Sequence, residues 1–188
     1  MIIGIVGTMG SGKGVFSRYL KEKGFSYITI SDMVREEAKK RNLEIKREVL
    51  QDLGNLMREK NGNGYWAKKA LEKIDDGNWI IDGVRNLGEV KELKDVKGII
   101  IGVDAPVDLR LERLEKRDKM KDEGRTNSDP KDNKEIRKLE LRDRGIKEPE
   151  HGQQVLKCLE LVDYKIMNDS SLEDFYLKID GVLDKIKV

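Results

Sequence analysis

The apolar residues form short β-branched runs separated by longer stretches with helical spacing. Residues 1–6 are apolar on both faces, which is typical of a strand buried inside a parallel sheet. Ser31 follows the second such run and is expected to cap the next helix. The pattern predicts strands at 1–6, 25–30, 79–82, 98–104 and 164–167, and helices at 12–23, 32–41, 46–60, 65–75, 87–96, 106–117, 134–144, 150–162 and 172–186.

Strands that alternate with helices favour parallel pairing, because each parallel return needs a long crossover connection. The sequence therefore predicts an α/β fold of three layers, a five-stranded parallel sheet between two layers of helices. With 188 residues the chain is predicted to form a single domain over 1–188. Ligands of such sheets bind at the carboxyl ends of the strands, where Gly7, Ser31, Asp82 and Asp104 fall.

The segment 119–133 interrupts this pattern. It is polar, contains Gly124 and Pro130, and has almost no apolar residue, so it contributes little to a core. We predict a flexible lid over about 118–144, which includes the helix predicted at 134–144. Closure of such a lid would exclude water from a reaction site.

Composition limits the partners. The 38 Lys and Arg residues nearly balance 36 Asp and Glu residues, so no overall field favours nucleic acid or a membrane. No apolar stretch approaches the roughly 20 residues of a transmembrane helix, and the N-terminal run is too short for a signal peptide. The single cysteine, Cys158, is expected to be a reduced thiol in the core. The protein is expected to be cytoplasmic.

The chemistry is indicated most strongly by G-T-M-G-S-G-K at residues 7–13, which joins the first strand to the first helix. The spacing is that of a P-loop, in which glycines let backbone N–H groups surround a phosphate. Lys13 is then expected to reach the β- and γ-phosphates of ATP. The residues expected to bind the nucleotide are Gly7, Thr8, Met9, Gly10, Ser11, Gly12, Lys13, Gly14 and Val15.

Gly14 stands where the general P-loop pattern has a serine or threonine that ligates Mg²⁺. A GTPase is disfavoured, because Asn133-Lys134 is not followed by the base-reading x-Asp. The form GSGKG resembles the P-loop of adenylate and cytidylate kinases. Those families usually place threonine next, whereas this chain has Val15, so neither position 14 nor position 15 offers a hydroxyl ligand for magnesium.

Two further segments resemble parts of adenylate kinases. The resemblance implies that helices within about 31–75 bind the acceptor, together with residues that follow the third strand. Ser31-Asp32-Met33-Val34-Arg35 resembles the segment in which an arginine grips the acceptor monophosphate, so Asp32 and Arg35 are expected there. Asp82-Gly83-Val84-Arg85 resembles the DGFPR motif without its proline. The resemblance implies that Asp82 holds water on Mg²⁺ and that Arg85 holds the acceptor phosphate.

The run 105–117, APVDLRLERLEKR, resembles the adenylate kinase helix that enters the lid. In that helix one arginine stacks on the donor adenine and another, four residues on, touches phosphate, which implies Arg113 and Arg117. Residues 166–174 resemble the ending of dephospho-coenzyme A kinases, which implies Asn168 beside the donor base. Past the lid, the candidates for a closing clamp are Arg137, Arg142 and Arg144; each could equally be a solvated surface residue.

The chain is thus identified as a member of the P-loop nucleoside monophosphate kinase superfamily, with ATP and Mg²⁺ as cofactors. The catalytic residues implied are Lys13, Asp82, Arg85 and Arg117. A nucleoside monophosphate is the favoured acceptor, because paired arginines suit a phosphate, and dephospho-coenzyme A is the alternative. A non-catalytic ATP-binding regulator is a third hypothesis, and the sequence leaves open whether the protein is a monomer or a homodimer.

Overall fold

The structure is a computed structural model that describes residues 1–119 and 133–187, without the side chains of residues 117–119, 133 and 135. The central part of the predicted lid, 120–132, lies outside the described residues. The strands are β1 Ile2–Val6, β2 Ser26–Thr29, β3 Trp79–Val84, β4 Ile99–Asp104 and β5 Tyr164–Met167. The helices are α1 Lys13–Glu22, α2 Ile30–Lys40, α3 Arg47–Asn61, α4 Tyr65–Leu71, α5 Leu87–Asp95, α6 Val107–Lys119, α7 Asn133–Arg144, α8 Val155–Glu160 and α9 Leu172–Lys185.

The five strands form one parallel sheet in the order β2-β3-β1-β4-β5, which confirms the predicted sheet. The central strand β1 is bordered by β3 and β4, so the chain leaves it at the middle of the sheet's carboxyl edge. Asp82 of β3 lies level with Ile5 of β1 on one side and with Thr29 of β2 on the other. The parallel order therefore brings the ends of β1, β2 and β3 together.

Helices cover both faces of the sheet, because neighbouring residues of each strand face opposite sides. Ile81 and Ile100 belong to a core shared with α2, α3, α4, α5 and α8, whereas Ile80 and Ile101 pack against α1 and α9. Cys158 is fully buried in the first core, as predicted, and burial raises the pKa of its thiol. The three-layer α/β fold expected from the sequence is confirmed.

Four local predictions were wrong, and one of them is the length of α4, which ends at Leu71 rather than at 75. Helix α2 begins at Ile30, because Thr29 rather than Ser31 is its N-cap and the Thr29 hydroxyl accepts a hydrogen bond from the Ser31 N–H at 3.1 Å. Strand β3 continues past Asp82 through a bulge at Gly83, whose φ of 84° lies in the left-handed region. The helix predicted at 150–162 is shortened to α8, because the backbone at Gly152 turns to accept a hydrogen bond from the Asn86 side chain.

Candidate functional site

The P-loop follows β1 at the centre of the sheet, and its glycines are required by its path. Gly12, which precedes α1, has a φ of 105°, and a Cβ there would lie 2.2 Å from Nδ2 of Asn168. Gly10 has a φ of 75°, and a Cβ there would lie 2.6 Å from the main-chain oxygen of Arg110. A side chain at either position would displace the loop, so the predicted strand–loop–helix geometry is present.

Lys13 folds back on its own loop. Its ammonium group donates hydrogen bonds to the carbonyl oxygens of Gly7 at 2.5 Å and Thr8 at 2.8 Å. Desolvation lowers the pKa of Lys13 to about 8, against the opposing influence of the Asp143 and Asp82 carboxylates. The lysine thus lies at the mouth of the loop with its charge only partly compensated.

Asn168 and Arg113, which were predicted from separate motifs, meet against the P-loop. The Asn168 side-chain amide donates to the carbonyl oxygen of Ser11 at 2.9 Å. The Arg113 guanidinium donates to the main-chain oxygen of Asn168 at 3.1 Å and to that of Gly10 at 3.5 Å. Both side chains hold the loop by its carbonyl oxygens.

The remaining P-loop residues have mixed environments. Thr8 and Ser11 are buried, and the Thr8 hydroxyl lies 3.5 Å from a carboxylate oxygen of Asp104. Met9 is buried, and its carbonyl oxygen accepts a hydrogen bond from Arg110. Gly14 faces open space, and Val15 packs against the core shared with α1 and α9. Neither Gly14 nor Val15 carries a side-chain oxygen that could ligate a metal.

Asp82 lies in β3, two residues before the strand ends at Val84, close enough to influence Lys13 of the P-loop, and is 8% exposed. Its Oδ2 accepts a hydrogen bond from the Tyr27 hydroxyl at 3.0 Å, whereas its buried Oδ1 has no hydrogen-bond partner within the described residues. Burial and the nearby Asp82 charge raise the pKa of Tyr27, which keeps the phenol a hydrogen-bond donor. One carboxylate oxygen is therefore left for a cation or a water molecule.

A cleft opens between α2, α3 and the residues that follow β3. Arg35 and Arg85, the two arginines expected at the acceptor, both line it. Arg47 lines it as well and was not predicted from the sequence. Arg47 could have been noticed because it stands in the first turn of α3. The helix dipole disfavours a cation there, so an arginine at this position suggests a role other than helix stability. The other lining residues are Ile30, Ser31, Val34, Leu50, Gln51, Gly54, Arg58 and Gln153.

Acidic residues accompany the arginines of the cleft. Arg35 forms an ion pair with Asp32 at 2.8 Å, and the Asp32 side chain is 60% exposed, so Asp32 contacts Arg35 rather than the cleft. Arg85 forms an ion pair at 3.0 Å with Asp143 of α7, whose side chain is 1% exposed. Asp143 was also missed, because an aspartate among alternating charges looks like a surface residue.

Helix α7 contacts both halves of the site. Glu140 forms a buried ion pair with Arg110 at 2.8 Å beside the P-loop, and Asp143 contacts Arg85 beside the cleft. Arg142, a predicted clamp residue, is instead ion-paired with Asp52 at 2.9 Å and with Glu148 at 2.9 Å. Arg144 lies 3.7 Å from Glu140, Arg137 is exposed, and the Arg117 side chain lies outside the described residues. The structure thus does not bring Arg137 or Arg142 to the lining of the cleft.

Neither a membrane span nor a metal cluster occurs in the part of the chain that the structure describes. No helix in residues 1–119 and 133–187 is long and apolar enough to cross a membrane. The same residues contain no group of three or more His, Cys, Asp or Glu side chains that could hold a metal ion.

Comparison with known proteins places this arrangement in a family. Residues 3–149 match the family described as AAA domain. A UPF0200 protein from Sulfurisphaera tokodaii is 38% identical over 187 residues, which cover 98% of this chain and 97% of the relative. A UPF0200 protein from Saccharolobus solfataricus is 35% identical over 192 residues, with 98% and 93% covered. The chain is a UPF0200 protein with an AAA domain.

Solved structures share the fold of this UPF0200 chain. Protein TT1252 from Thermus thermophilus has a TM-score of 0.60 at 17% identity, with 98% of this chain and 97% of that chain covered. The shikimate kinase from Bacteroides thetaiotaomicron has a TM-score of 0.58 at 13% identity, with 100% and 99% covered. At such identities the likeness concerns the fold alone. The UPF0200 chain therefore has the P-loop fold of small-molecule kinases, as the sequence predicted.

Proposed function

We propose that this protein transfers the γ-phosphoryl group of ATP to the phosphate of a nucleoside monophosphate or deoxynucleoside monophosphate. The observation that carries the proposal is that Arg35 and Arg85, from segments about 50 residues apart, line one cleft. Arg47 and Arg58 line the same cleft, and Arg58 is ion-paired with Glu89. The guanidinium groups of Arg35, Arg47 and Arg85 suit a doubly charged phosphate better than a neutral hydroxyl.

The donor side supports the same proposal. The electrostatic influence of Arg85 and Arg47 on Lys13 indicates that the P-loop lysine and the cleft arginines are neighbours. A triphosphate on the loop and a monophosphate in the cleft would then meet between these cations. Arg113 and Asn168 would position the loop, and Arg117 would contact the donor phosphates. We also propose a cytoplasmic location, where ATP is available.

The reaction needs little covalent chemistry from the protein. An oxygen of the acceptor phosphate bonds to Pγ, the bond from Pγ to the β–γ bridging oxygen breaks, and ADP leaves. Because the acceptor oxygen is already an anion, no base is needed to take a proton. Lys13 and the arginines orient the two polyanions and neutralise charge that spreads over the moving group.

Magnesium would be held through Asp82 in this proposal. Its buried Oδ1 has no hydrogen-bond partner within the described residues, and oxygen is the ligand that Mg²⁺ prefers. Typical Mg²⁺ sites use one or two carboxylates together with substrate phosphates, so a single carboxylate fits. When bound, the ion would neutralise the phosphate oxygens of ATP.

Dephospho-coenzyme A remains the second candidate acceptor, and Asp143 is the observation in its favour. A hydroxyl acceptor needs a base, and Asp143 is buried with Oδ1 ion-paired to Arg85 at 3.0 Å and Oδ2 without a hydrogen-bond partner within the described part of the chain. Its charge opposes the lowering of the Lys13 pKa, so Asp143 lies close to the P-loop. Such a carboxylate could accept the hydroxyl proton.

Release of ADP, followed with and without acceptors, tests the proposal. The panel contains the common nucleoside and deoxynucleoside monophosphates and dephospho-coenzyme A, each with MgATP. We expect at least one monophosphate to accelerate ADP release strongly. Turnover with dephospho-coenzyme A alone would favour the second candidate, and ATP binding without stimulation by any acceptor would favour a regulator.

Replacement of Arg35 by alanine tests the acceptor site. We expect the KM for the acceptor to rise about 10- to 150-fold, because one charge-assisted hydrogen bond contributes about 1.5–3 kcal/mol. The KM for ATP should change little. The matched control is Arg41→Ala, which removes an arginine ion-paired with Glu37 just after α2. An unchanged acceptor KM in Arg35→Ala would remove Arg35 from the acceptor site.

The lowered pKa of Lys13 makes ATP binding depend on pH. Because the folded-state pKa of about 8 lies below the usual 10.5, Lys13 of the free protein loses its proton as the pH rises through 8. Bound phosphates favour the charged lysine, so ATP binding at pH 9 must take up a proton. Calorimetry in buffers of different ionisation enthalpy should show this uptake, with an affinity about 10-fold lower at pH 9 than at pH 7. A Lys13→Met variant that kept the same pH dependence would contradict this origin.

A further inference from the structure

Gln51 of α3 lines the cleft and carries a buried side-chain oxygen. The residue is 3% exposed and lines the cleft with Arg35, Arg47 and Arg85. Its Nε2 donates to the Gln153 side-chain oxygen at 3.2 Å and lies 3.5 Å from the Leu139 carbonyl oxygen. Its Oε1 is buried and has no hydrogen-bond partner among the described residues. Folded proteins leave few buried polar atoms unpaired, and those few call for an explanation.

The orientation of this amide follows from its neighbours. The Leu139 partner is a main-chain carbonyl oxygen, which can only accept a hydrogen bond. If the amide were rotated by 180°, its oxygen would face that carbonyl. The unpaired end is therefore the oxygen, and its missing partner must be a donor, either N–H or O–H.

The position of Gln51 relates it to the acceptor site. The side-chain oxygen of Gln153 accepts from Gln51 at 3.2 Å and also from Arg85 Nη1 at 3.4 Å. Gln51 and Arg85 are thus separated by one shared oxygen. A ligand whose phosphate contacts Arg85 would place the atoms next to that phosphate close to Gln51.

Part of the remaining lining cannot accept a hydrogen bond. Ile30, Val34 and Leu50 contribute hydrocarbon side chains, whereas Ser31 contributes a hydroxyl. A polar hydrogen of the ligand that entered here would lose water and would need a protein acceptor in exchange. A ligand without such a hydrogen would leave the Gln51 oxygen unpaired.

On the basis of the phosphotransferase function proposed above, we propose that Gln51 determines acceptor specificity. Its Oε1 accepts a hydrogen bond from a sugar hydroxyl of the acceptor nucleotide, close to the phosphate held by Arg85. The protein thereby prefers acceptors that carry this donor over analogues that lack it, because a site built to pair a polar group rejects ligands that cannot pair it.

Pairs of acceptors that differ by one donor test this role. Adenosine monophosphate is compared with its 2′-deoxy and 3′-deoxy forms, which lack a hydroxyl, and with purine riboside monophosphate, which lacks the amine. If another base is the better acceptor, the corresponding analogues of that nucleotide are used. We expect wild-type kcat/KM to fall about 10-fold or more for the analogue that lacks the paired donor. A response to one deoxy form identifies the paired hydroxyl, whereas a response to purine riboside monophosphate alone would contradict the inferred position of the donor.

Variants assign the preference to Gln51. In Gln51→Leu the preference should disappear, because no oxygen remains to be paired. In Gln51→Glu it should persist, because oxygen acceptors remain, although repulsion of the phosphate should raise KM for both members of a pair. The matched control is Gln154→Leu, since Gln154 is also buried with an unpaired side-chain oxygen but does not line the cleft. It should keep the wild-type preference.

The results of these assays distinguish the role of Gln51 from the proposed phosphotransferase function. Wild-type turnover with no preference in any pair, or a preference that survives in Gln51→Leu, would overturn the role of Gln51 alone. A wild-type protein that transfers phosphate to no acceptor would overturn the proposed function and the inference together.

Discussion

The Lys13→Met variant is expected to lower kcat about 100- to 1,000-fold at saturating ATP and acceptor, because loss of one preorganised cation at the transferring group has effects of this size. In the free protein the Lys13 ammonium is held by the carbonyl oxygens of Gly7 and Thr8. Those contacts place it at the phosphate end of the loop, from where it can follow the γ-phosphoryl group. Steady-state release of ADP measures the effect.

Stability separates this loss from misfolding. Desolvation lowers the pKa of Lys13, so the fold disfavours the charged form of this side chain. A neutral methionine removes that penalty, and the melting temperature of Lys13→Met should therefore equal or exceed that of the wild type. The control Lys40→Met, an exposed position on α2, should change neither kcat nor stability. A Lys13→Met variant with wild-type kcat would contradict the proposed role of the P-loop.

The sheet and the P-loop could be predicted because both depend on local sequence. Apolar runs with both faces buried identify strands, and the spacing of Gly7, Gly12 and Lys13 specifies a loop between a strand and a helix. Parallel strands all end at one edge, so residues that follow neighbouring strands, such as Arg35 and Arg85, are expected to face a common space. That expectation requires only the order of elements along the chain.

Other features depend on contacts that no local pattern reveals. Asp143 meets Arg85 across 58 positions of the chain, and Gln51 meets Gln153 across 102. In the sequence Asp143 and Gln51 both look like ordinary polar residues of charged helices. The bulge at Gly83 was missed because its positive φ is allowed for glycine in many contexts, and the wrong cap of α2 reflects two neighbouring hydroxyls, Thr29 and Ser31, of similar capping strength.

The largest effect on stability is expected from Glu89→Ala, which should lower the free energy of unfolding by about 3–5 kcal/mol. Glu89 is fully buried, and its Oε1 accepts a hydrogen bond from the Arg58 guanidinium at 2.7 Å. Its Oε2 accepts from the main-chain N–H of Arg85 at 2.7 Å and of Asn86 at 3.1 Å, which closes the capping box of α5. Alanine would leave a buried cation and two N–H groups without these partners.

Urea unfolding followed by circular dichroism measures this loss, with Glu92→Ala on the same helix as the control. Glu92 lies 3.3 Å from Lys68, whose side chain is 58% exposed, so its removal should cost less than about 1 kcal/mol. The double variant Arg58→Met with Glu89→Met should recover much of the loss, because it removes the unpaired charge. Equal losses in the two alanine variants would contradict this account. Because Glu89 also holds the backbone of Arg85, folded Glu89→Ala should show a raised acceptor KM, which would link the buried ion pair to the cleft.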